Sequence, residues 1–347
     1  MNVETSGISA QYINQSFIRK LEDGRVKEAQ DEGSRFIRSK LRQESFAREI
    51  LEPVEIGADE IDRDEHTDQP KKIIEKEPDS VATFVTFKGS GQRTFFRGPR
   101  YSVSFGKIET EHFTKSKFEL LTYQNDIRKI LTDNSVKDMA DVEDKKFIET
   151  VAASMNQVGG TTILGAGAAG GEVRDGGEAF LANQLGANKT QFATQNVARA
   201  NILDVNDTKP LSKELITQLF QSMTMSRMPI GKLLMSKSTF MEVLKFDNSD
   251  VGNDIVSAHY RDGIAGEEKL FGVPVITTIK NDIIADNEIY LFAPENYLGN
   301  FFLLQDATLF IKQEADMIEF WSYSAPGIGI GNANGIKLLK NFLPVNS

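Results

Sequence analysis

Along the chain the spacing of apolar residues changes period several times, and each change marks an element. Before Phe36 the apolar positions are sparse (Tyr12, Ile13, Phe17, Ile18, Leu21), too few to bury a core, so this stretch is disordered or ordered by a partner. Phe36, Ile37, Leu41, Ile50 and Leu51 then fall near i, i+4 spacing, with Arg35, Arg38, Lys40 and Arg42 beside them. That pattern fits either a solvated surface helix or an arm lying across a neighbouring molecule. Residues 52–68 hold eight acidic residues against the single Arg63, and Pro70 and Pro78 follow with Lys71, Lys72 and Lys76 between them. This is the composition of a long exposed loop. Next the period becomes two. Val81, Val85 and Phe87 predict one strand, and Tyr101, Val103 and Phe105 alternate with Ser102, Ser104 and Gly106 in another. Lys88-Gly89-Ser90-Gly91-Gln92 supplies a turn between them. Residues 52–106 therefore read as one extended hairpin, which is marginal alone in water and must lean on something else.

Helical spacing returns over 126–155. Ile127, Ile130 and Leu131 sit at i, i+3, i+4, and Ile148, Val151, Ala152 and Met155 at i, i+3, i+4, i+7. Thr132-Asp133-Asn134-Ser135 is a weak middle where the helix could break; unbroken, it would be a rod of about 45 Å. A glycine-rich stretch at 159–177 leads into a mixed pattern. Leu211 to Met223 is helical, Lys232 to Ser236 a strand, and Ser238 to Leu244 a helix capped by Ser236 or Ser238. Short apolar runs follow at 273–279, 289–292, 301–304 and 308–311. Met317 to Tyr323 and Ile336 to Leu339 read as strands around the glycine-rich 326–335. There is no internal repeat. The fold class is α+β.

Composition narrows the function more than the fold. The 347 residues, 40% hydrophobic and 26% charged, suit a globular protein of up to two domains. With no cysteine, disulfides and thiolate metal sites are excluded. The start Met1-Asn2-Val3-Glu4-Thr5 lacks the basic and apolar regions of a signal peptide, and no apolar run approaches membrane-spanning length. The expectation is a protein made in a cytoplasm, with no membrane partner. A formal charge of −10 argues against tight nucleic-acid binding, which needs a basic surface, but suits a surface lying near DNA without gripping it.

Catalytic chemistry is sparse. His66, His112 and His259 are far apart and form no metal-ligand pair. Asp59 to Glu65 has the acidity of a calcium loop but not its glycine, and Arg63 intrudes. Gly165-Ala166-Gly167-Ala168-Ala169-Gly170 is a literal GxGxxG. A dinucleotide site needs a buried strand before it and a helix after it, whereas only Ile163-Leu164 precede and Gly171 to Gly177 is too glycine-rich to be helical. A nucleotide-dependent α/β enzyme is thus a second class of function resting on this run alone. No catalytic, cofactor-binding or metal-ligating residue is assigned.

The order of elements (charged arm, long hairpin, long helix, glycine-rich loop, mixed α/β) resembles the major capsid proteins of tailed bacteriophages, the fold named after phage Hong Kong 97. Leu270-Phe271-Gly272-Val273-Pro274-Val275, Ile289 to Pro294, Glu319-Phe320-Trp321-Ser322-Tyr323 on to Gly331, and Ile336-Lys337-Leu338-Leu339 are similar to phrases of its later strands. The resemblance implies an N-terminal arm (1–50), an extended E-loop (51–100), a P domain (101–200) with a spine helix at about 126–155, an A domain (201–312), and closing P- and A-domain strands (313–347). It implies a structural protein, not an enzyme, that assembles through hexamers and pentamers into an icosahedral shell around double-stranded DNA, without sequence-specific binding. The virion would be its location, with assembly in the bacterial cytoplasm. A portal and cement proteins are implied partners. The arm beginning almost at Met1 adds the expectation of a separate scaffolding protein. Encapsulin nanocompartments share the fold, normally with a shorter chain. Some members cross-link through a lysine, for which Lys88 is a candidate by location. Phe95 and Phe96, flanked by Arg93, Arg97 and Arg100, have the composition of interface anchors, and Phe36 and Leu41 are the corresponding candidates in the arm.

Overall fold

The computed structural model describes the chain from Tyr12 to Pro344, except residues 13–14, 17, 21–22, 24, 65, 76–83, 86, 88–99, 123–126, 159–160, 164–172, 175–200, 208, 244, 247–268 and 315. Two sheets and one long helix organise it.

Helix α1 (Val26–Glu44) turns a stripe of Ala29, Gly33, Ile37 and Leu41, spaced by four, onto the body of the protein. At Gly33 a Cβ would lie 2.4 Å from Leu309 Cδ2, which shows how closely helix and strand approach. Ile37 and Leu41 are fully buried among residues of their own chain. Ile18 and Ala29, ahead of Phe36, are buried in the same core, so the expectation that the stretch before Phe36 is too sparse to bury a core is corrected: that core is completed by residues nearly 300 positions away. Ser45 then caps α2 (Phe46–Ile50), its hydroxyl accepting from the Arg48 amide.

After α3 (Lys117–Thr122) comes α4 (Ile127–Val158), one unbroken helix of 32 residues, about 48 Å at 1.5 Å per residue. The weak middle does not interrupt it, because the stripe Val136, Met139, Ala140, Phe147, Val151, Met155 keeps helical spacing past that point. Val136, Met139 and Ala140 pack in one core with α1, while Phe147, Val151 and Met155 pack in a second with α2. The helix is a spine joining the two.

The first sheet is built on the antiparallel pair β14 (Gly299–Glu314) and β15 (Met317–Ile330). β1 (Pro53–Glu55) runs parallel to β14, and β5 (Ile108–Glu109) and β6 (Phe113–Ser116) pair with β15. The two apolar runs at 301–304 and 308–311 belong to one strand. Register shifts between Leu303 and Thr308 break its alternation, which is why it reads as two. Helix α1 satisfies backbone groups around this irregularity: Arg38 Nε donates to the Ala307 carbonyl (3.0 Å) and Ser34 Oγ accepts from the Leu309 amide (2.9 Å).

Among the described residues the second sheet has eight strands in the order β11 (Lys269–Leu270), β12 (Val273–Thr278), β10 (Lys232–Ser236), β13 (Glu288–Phe292), β16 (Ile336–Lys340), β9 (Ile202–Asp204), β7 (Thr161–Ile163), β8 (Val173–Arg174). Helices α5 (Lys213–Met225) and α6 (Lys237–Val243) accompany it, Ser236 capping the latter. Leu233, Met235, Ile289, Leu291 and Leu339 join a core with α5, whereas Leu234, Tyr290, Phe292 and Leu338 face α2 and α4. Covered on both faces, these strands show continuous apolar runs instead of alternation. Phe271 (φ 52°) and Gly272 (φ 81°) form the two-residue turn joining β11 to β12, where the sequence shows a glycine-proline phrase.

One buried cation interrupts this sheet. Lys337 on β16 is fully buried and donates to Asn201 Oδ1 at 2.7 Å. Burial pushes its amine down to about 7 from an ordinary 10.5. The unfolded chain thus binds that proton more tightly than the folded one, so this group makes stability rise with pH above about 7 until the ordinary lysine range. Urea midpoints measured at pH 7, 8 and 9 are expected to climb more steeply in the wild type than in Lys337→Met. Equal slopes would refute the assignment.

Candidate assembly surfaces

The third sheet is the projecting hairpin: β2 (Asp62–Arg63), β3 (Pro70–Glu75) and β4 (Arg100–Ser104). Its inner leg differs from expectation. Ile74 pairs with Tyr101 and Lys72 with Val103, so Pro70–Glu75, read as loop, is the partner strand. Of the strand expected from Val81, Val85 and Phe87, Val85 and Phe87 lie outside any strand, as does Phe84, and Val81 lies outside the described residues. Pro70 and the charges of 71–76 mask a strand whose apolar content is only Ile73 and Ile74.

What the hairpin leans on is the glycine-rich tail of β15. Tyr101 and Val103 on one side of β4, and Phe105 just past its end, lie over Gly331, Gly329 and Gly327. A Cβ on Gly327 would lie 2.6 Å from the Phe105 ring, and one on Gly329 2.3 Å from Val103 Cγ2. Gly327 and Gly329, which the apolar pattern leaves outside a strand although the resemblance carries the closing strand on to Gly331, are strand residues, and with Gly331 just past the strand's end their missing side chains form a seat. Tyr101 Oη donates to Asn300 Oδ1 at 2.6 Å, and burial pushes that phenol up. Beyond the seat, Phe84 and Phe87 are fully exposed, at 104% and 112% of their reference areas. An isolated subunit gains nothing from two bare phenylalanines there.

A buried ion cluster ties the sheets to the spine. Arg48 on α2 grips Glu143 of α4 with two hydrogen bonds (Nε–Oε2 2.7 Å, Nη2–Oε1 2.8 Å) and reaches Asp306 of β14 at 3.1 Å. Next to it, Asp144 accepts from Ser45 Oγ (2.8 Å), the Ala47 amide (2.9 Å) and Lys280 Nζ (2.6 Å). Lys280, from the loop after β12, also meets Asp141 at 2.9 Å. Burial raises the Glu143 and Asp144 carboxyls. Burial also works against the Arg48 charge, but Glu143 and Asp306 together outweigh it and hold the guanidinium above its ordinary value.

The other face of the first sheet carries a stack of rings. Phe310 stacks on Tyr323 (centroids 4.8 Å, planes 6° apart) and on Trp321 (5.6 Å, 19°), and Trp321 stacks on His112 (4.8 Å, 8°). Lys107 Nζ caps the Tyr323 end at 4.8 Å. At the other end His112 Nδ1 lies 2.7 Å from Glu319, whose hydrogen bond holds the imidazole above its ordinary pKa against the cost of desolvation.

Of the interface candidates, Phe36 is exposed on α1. Leu41 is fully buried in its own subunit, so it is not available as a surface anchor. Arg100 pairs with Glu75 across the hairpin at 2.5 Å. Lys88, Arg93, Phe95, Phe96 and Arg97 lie outside the described residues, as do the GxGxxG run and His259. Three residues after Gly170, however, Val173–Arg174 forms a strand antiparallel to Thr161–Ile163, where a dinucleotide fold requires a helix. Among the described residues no group of three His, Asp or Glu side chains could hold a metal, and no helix is long and apolar enough to cross a membrane. The ion cluster and the ring stack were not foreseen, because their members are separated by up to about 260 positions and meet only through strand register.

No protein-family model and no curated protein matches the chain. Among solved structures it superposes on the capsid of a native GTA particle with TM-score 0.52 and 16% identity, over 86% of this chain and 91% of that one. The chain has the Hong Kong 97 capsid fold. A virus-like particle from Pyrococcus furiosus aligns over 90% of this chain and all of its own, at 15% identity and TM-score 0.48. The capsid fold accounts for the order hairpin, spine helix, mixed sheet and closing strands that the sequence presents.

Proposed function

We propose that this chain is a major capsid protein, a structural subunit that associates with copies of itself through hexamers and pentamers into the icosahedral head of a tailed bacteriophage. The observation that carries the reading is the pairing of a capsid fold with a hairpin that presents Phe84 and Phe87 bare to solvent. Such residues gain free energy only when another subunit covers them. In this reading the hairpin of 62–104 is the E-loop, the spine helix and the β14–β15 sheet make the P domain, and the eight-stranded sheet makes the A domain. Many modest contacts per subunit, repeated by symmetry, give a shell far stabler than any one of them. The excess of acidic residues keeps packaged double-stranded DNA mobile, since few phosphates can be neutralised. A scaffolding protein, a portal and cement proteins are the partners such a shell would take, and the virion is where it would reside.

The test is the mass of the purified chain by size-exclusion chromatography with light scattering, followed by negative-stain imaging of the heaviest fraction. Pentamers, hexamers or closed shells are expected. A monomer at every concentration, unchanged by crowding agents or by a phage lysate supplying scaffold, would overturn the proposal.

A further inference from the structure

The ring stack on β15 is capped at each end by a basic group, and one of the two caps can lose its charge near neutral pH. Lys107 Nζ lies over Tyr323 at one end, and the imidazole of His112 lies flat on Trp321 at the other. Glu109 holds both caps. Its Oε2 accepts from Lys107 Nζ at 2.8 Å, and its Oε1 lies 3.5 Å from His112 Nε2. The other ring nitrogen of His112, Nδ1, meets Glu319 Oε1 at 2.7 Å. Both ring nitrogens therefore face carboxylates. A carboxylate only accepts, and a neutral imidazole carries a single N–H, so it can serve one partner and must turn a lone pair toward the other. The imidazolium alone satisfies both.

We propose that His112 is a proton-operated latch: charged, it fastens the connection between β5 and β6 onto β15, and neutral, it lets that connection loosen. The segment it fastens is the root of the hairpin. β4 ends at Ser104, the Gly106 amide donates to the Pro326 carbonyl, and Lys107 and β5 follow at once. Thr110 is the backbone side of the same fastening. Its amide donates to the Ser322 carbonyl at 2.9 Å, and its hydroxyl accepts from the Ser322 amide at 2.9 Å. The inference rests on the fold and is independent of the capsid reading.

The charges around the ring fix the sign of the effect. Lys107 above all, with His112, holds the Glu109 carboxyl below its usual range, so it stays ionised while the imidazole titrates. From β14, Lys312 sits opposite Glu319 in register and bonds Glu314. From β6, Lys115 faces Glu119 of α3 at 3.9 Å, and Glu111, beside His112 in sequence, is exposed. The Glu319 hydrogen bond, helped by Glu109 and opposed by desolvation, holds His112 above its ordinary 6.5. The folded chain thus keeps this proton more tightly than the unfolded one. The latch is complete below pH 6.5 and is lost as pH rises through the folded value.

Trp321 is the single tryptophan of the chain, so its emission reports on this stack. A protonated imidazole lying on an indole quenches it, because the cation accepts an electron from the excited ring, and a neutral imidazole does so far less. Emission of the full-length chain is expected to rise at least twofold in one step between pH 5.5 and 8.5, with a midpoint above 6.5. Glu319→Gln should lower that midpoint by at least half a unit, and His112→Gln should abolish the step. Hydrogen exchange of residues 107–113, corrected for the intrinsic rate at each pH, is expected to speed up at least threefold from pH 6 to pH 8. It should be fast at both in His112→Gln and slow at both in His112→Lys, whose charge does not titrate in this range. Flat emission, a midpoint at or below 6.5, or a midpoint unmoved by Glu319→Gln would each overturn the inference. An emission step with exchange unchanged would also overturn it, since His112 would then titrate without fastening anything.

Discussion

Replacing Arg48 by alanine is expected to cost about 3–5 kcal/mol of stability, the cost of removing one partner from a fully buried ion pair. The side chains of Arg48 and Glu143 are both completely buried, and Asp306 is nearly so. Without the guanidinium, Glu143 is left in the interior with no adjacent cation among the described residues, since Lys280 serves Asp144 and Asp141, while Asp306 keeps only the longer contact with Arg38 at 3.8 Å. Burial already holds Glu143 above the usual carboxylate range, so it would take up a proton and lose the geometry that locks α2 onto the spine. Urea unfolding followed by tryptophan fluorescence would read the loss at Trp321. The double variant Arg48→Met with Glu143→Leu replaces that charge pair by apolar groups of similar size, leaves Asp306 with Arg38 alone, and is expected to recover part of the stability. A loss under 1 kcal/mol in the single variant would mean the cluster is not the junction described here.

That junction also shows where sequence reading stops. The spine helix is legible from its two ends, where apolar positions keep helical spacing over 127–131 and 148–155, and periodicity is a local property. The strands around Leu234, Tyr290 and Leu338 were legible as short apolar runs, since a sheet covered on both faces has no polar side to show. Arg48 was not. A lone arginine in a charged neighbourhood looks like any solvated one until Glu143 and Asp306 are brought to it from 95 and 258 positions away. Leu41 failed in the opposite sense: its helix is polar on average, and burial of a narrow stripe spaced by four against β14 is invisible without β14. The hairpin was half legible. Its outer leg alternates cleanly, but its inner leg is hidden by Lys71, Lys72 and Pro70. Its seat is hidden by glycines, which in sequence signal a turn and here signal a close approach of two strands.

The seat yields the second large effect. Gly329→Val is expected to leave the subunit folded and to abolish particle formation. The new side chain would begin at a Cβ lying 2.3 Å from Val103 Cγ2, which no rotamer relieves, so β4 must lift off β15. Overpacking of this kind costs about 1–3 kcal/mol, less than the chain loses with its spine junction, because α1 and the spine are on the other face of the sheet. Lifting β4 moves the hairpin as a whole, since β3 and β2 are held to it by strand pairing, and it moves Phe84 and Phe87 off the path that leads them to a neighbour. Hydrogen exchange at 70–75 and 100–105 is expected to speed up at least tenfold with β13 and β16 unchanged, and light scattering to show subunits only. Gly106→Ala is the control, because a Cβ there meets nothing within 4 Å; it should assemble as the wild type does. Should Gly329→Val assemble normally with its hairpin still protected, the glycine face is not what aims the hairpin.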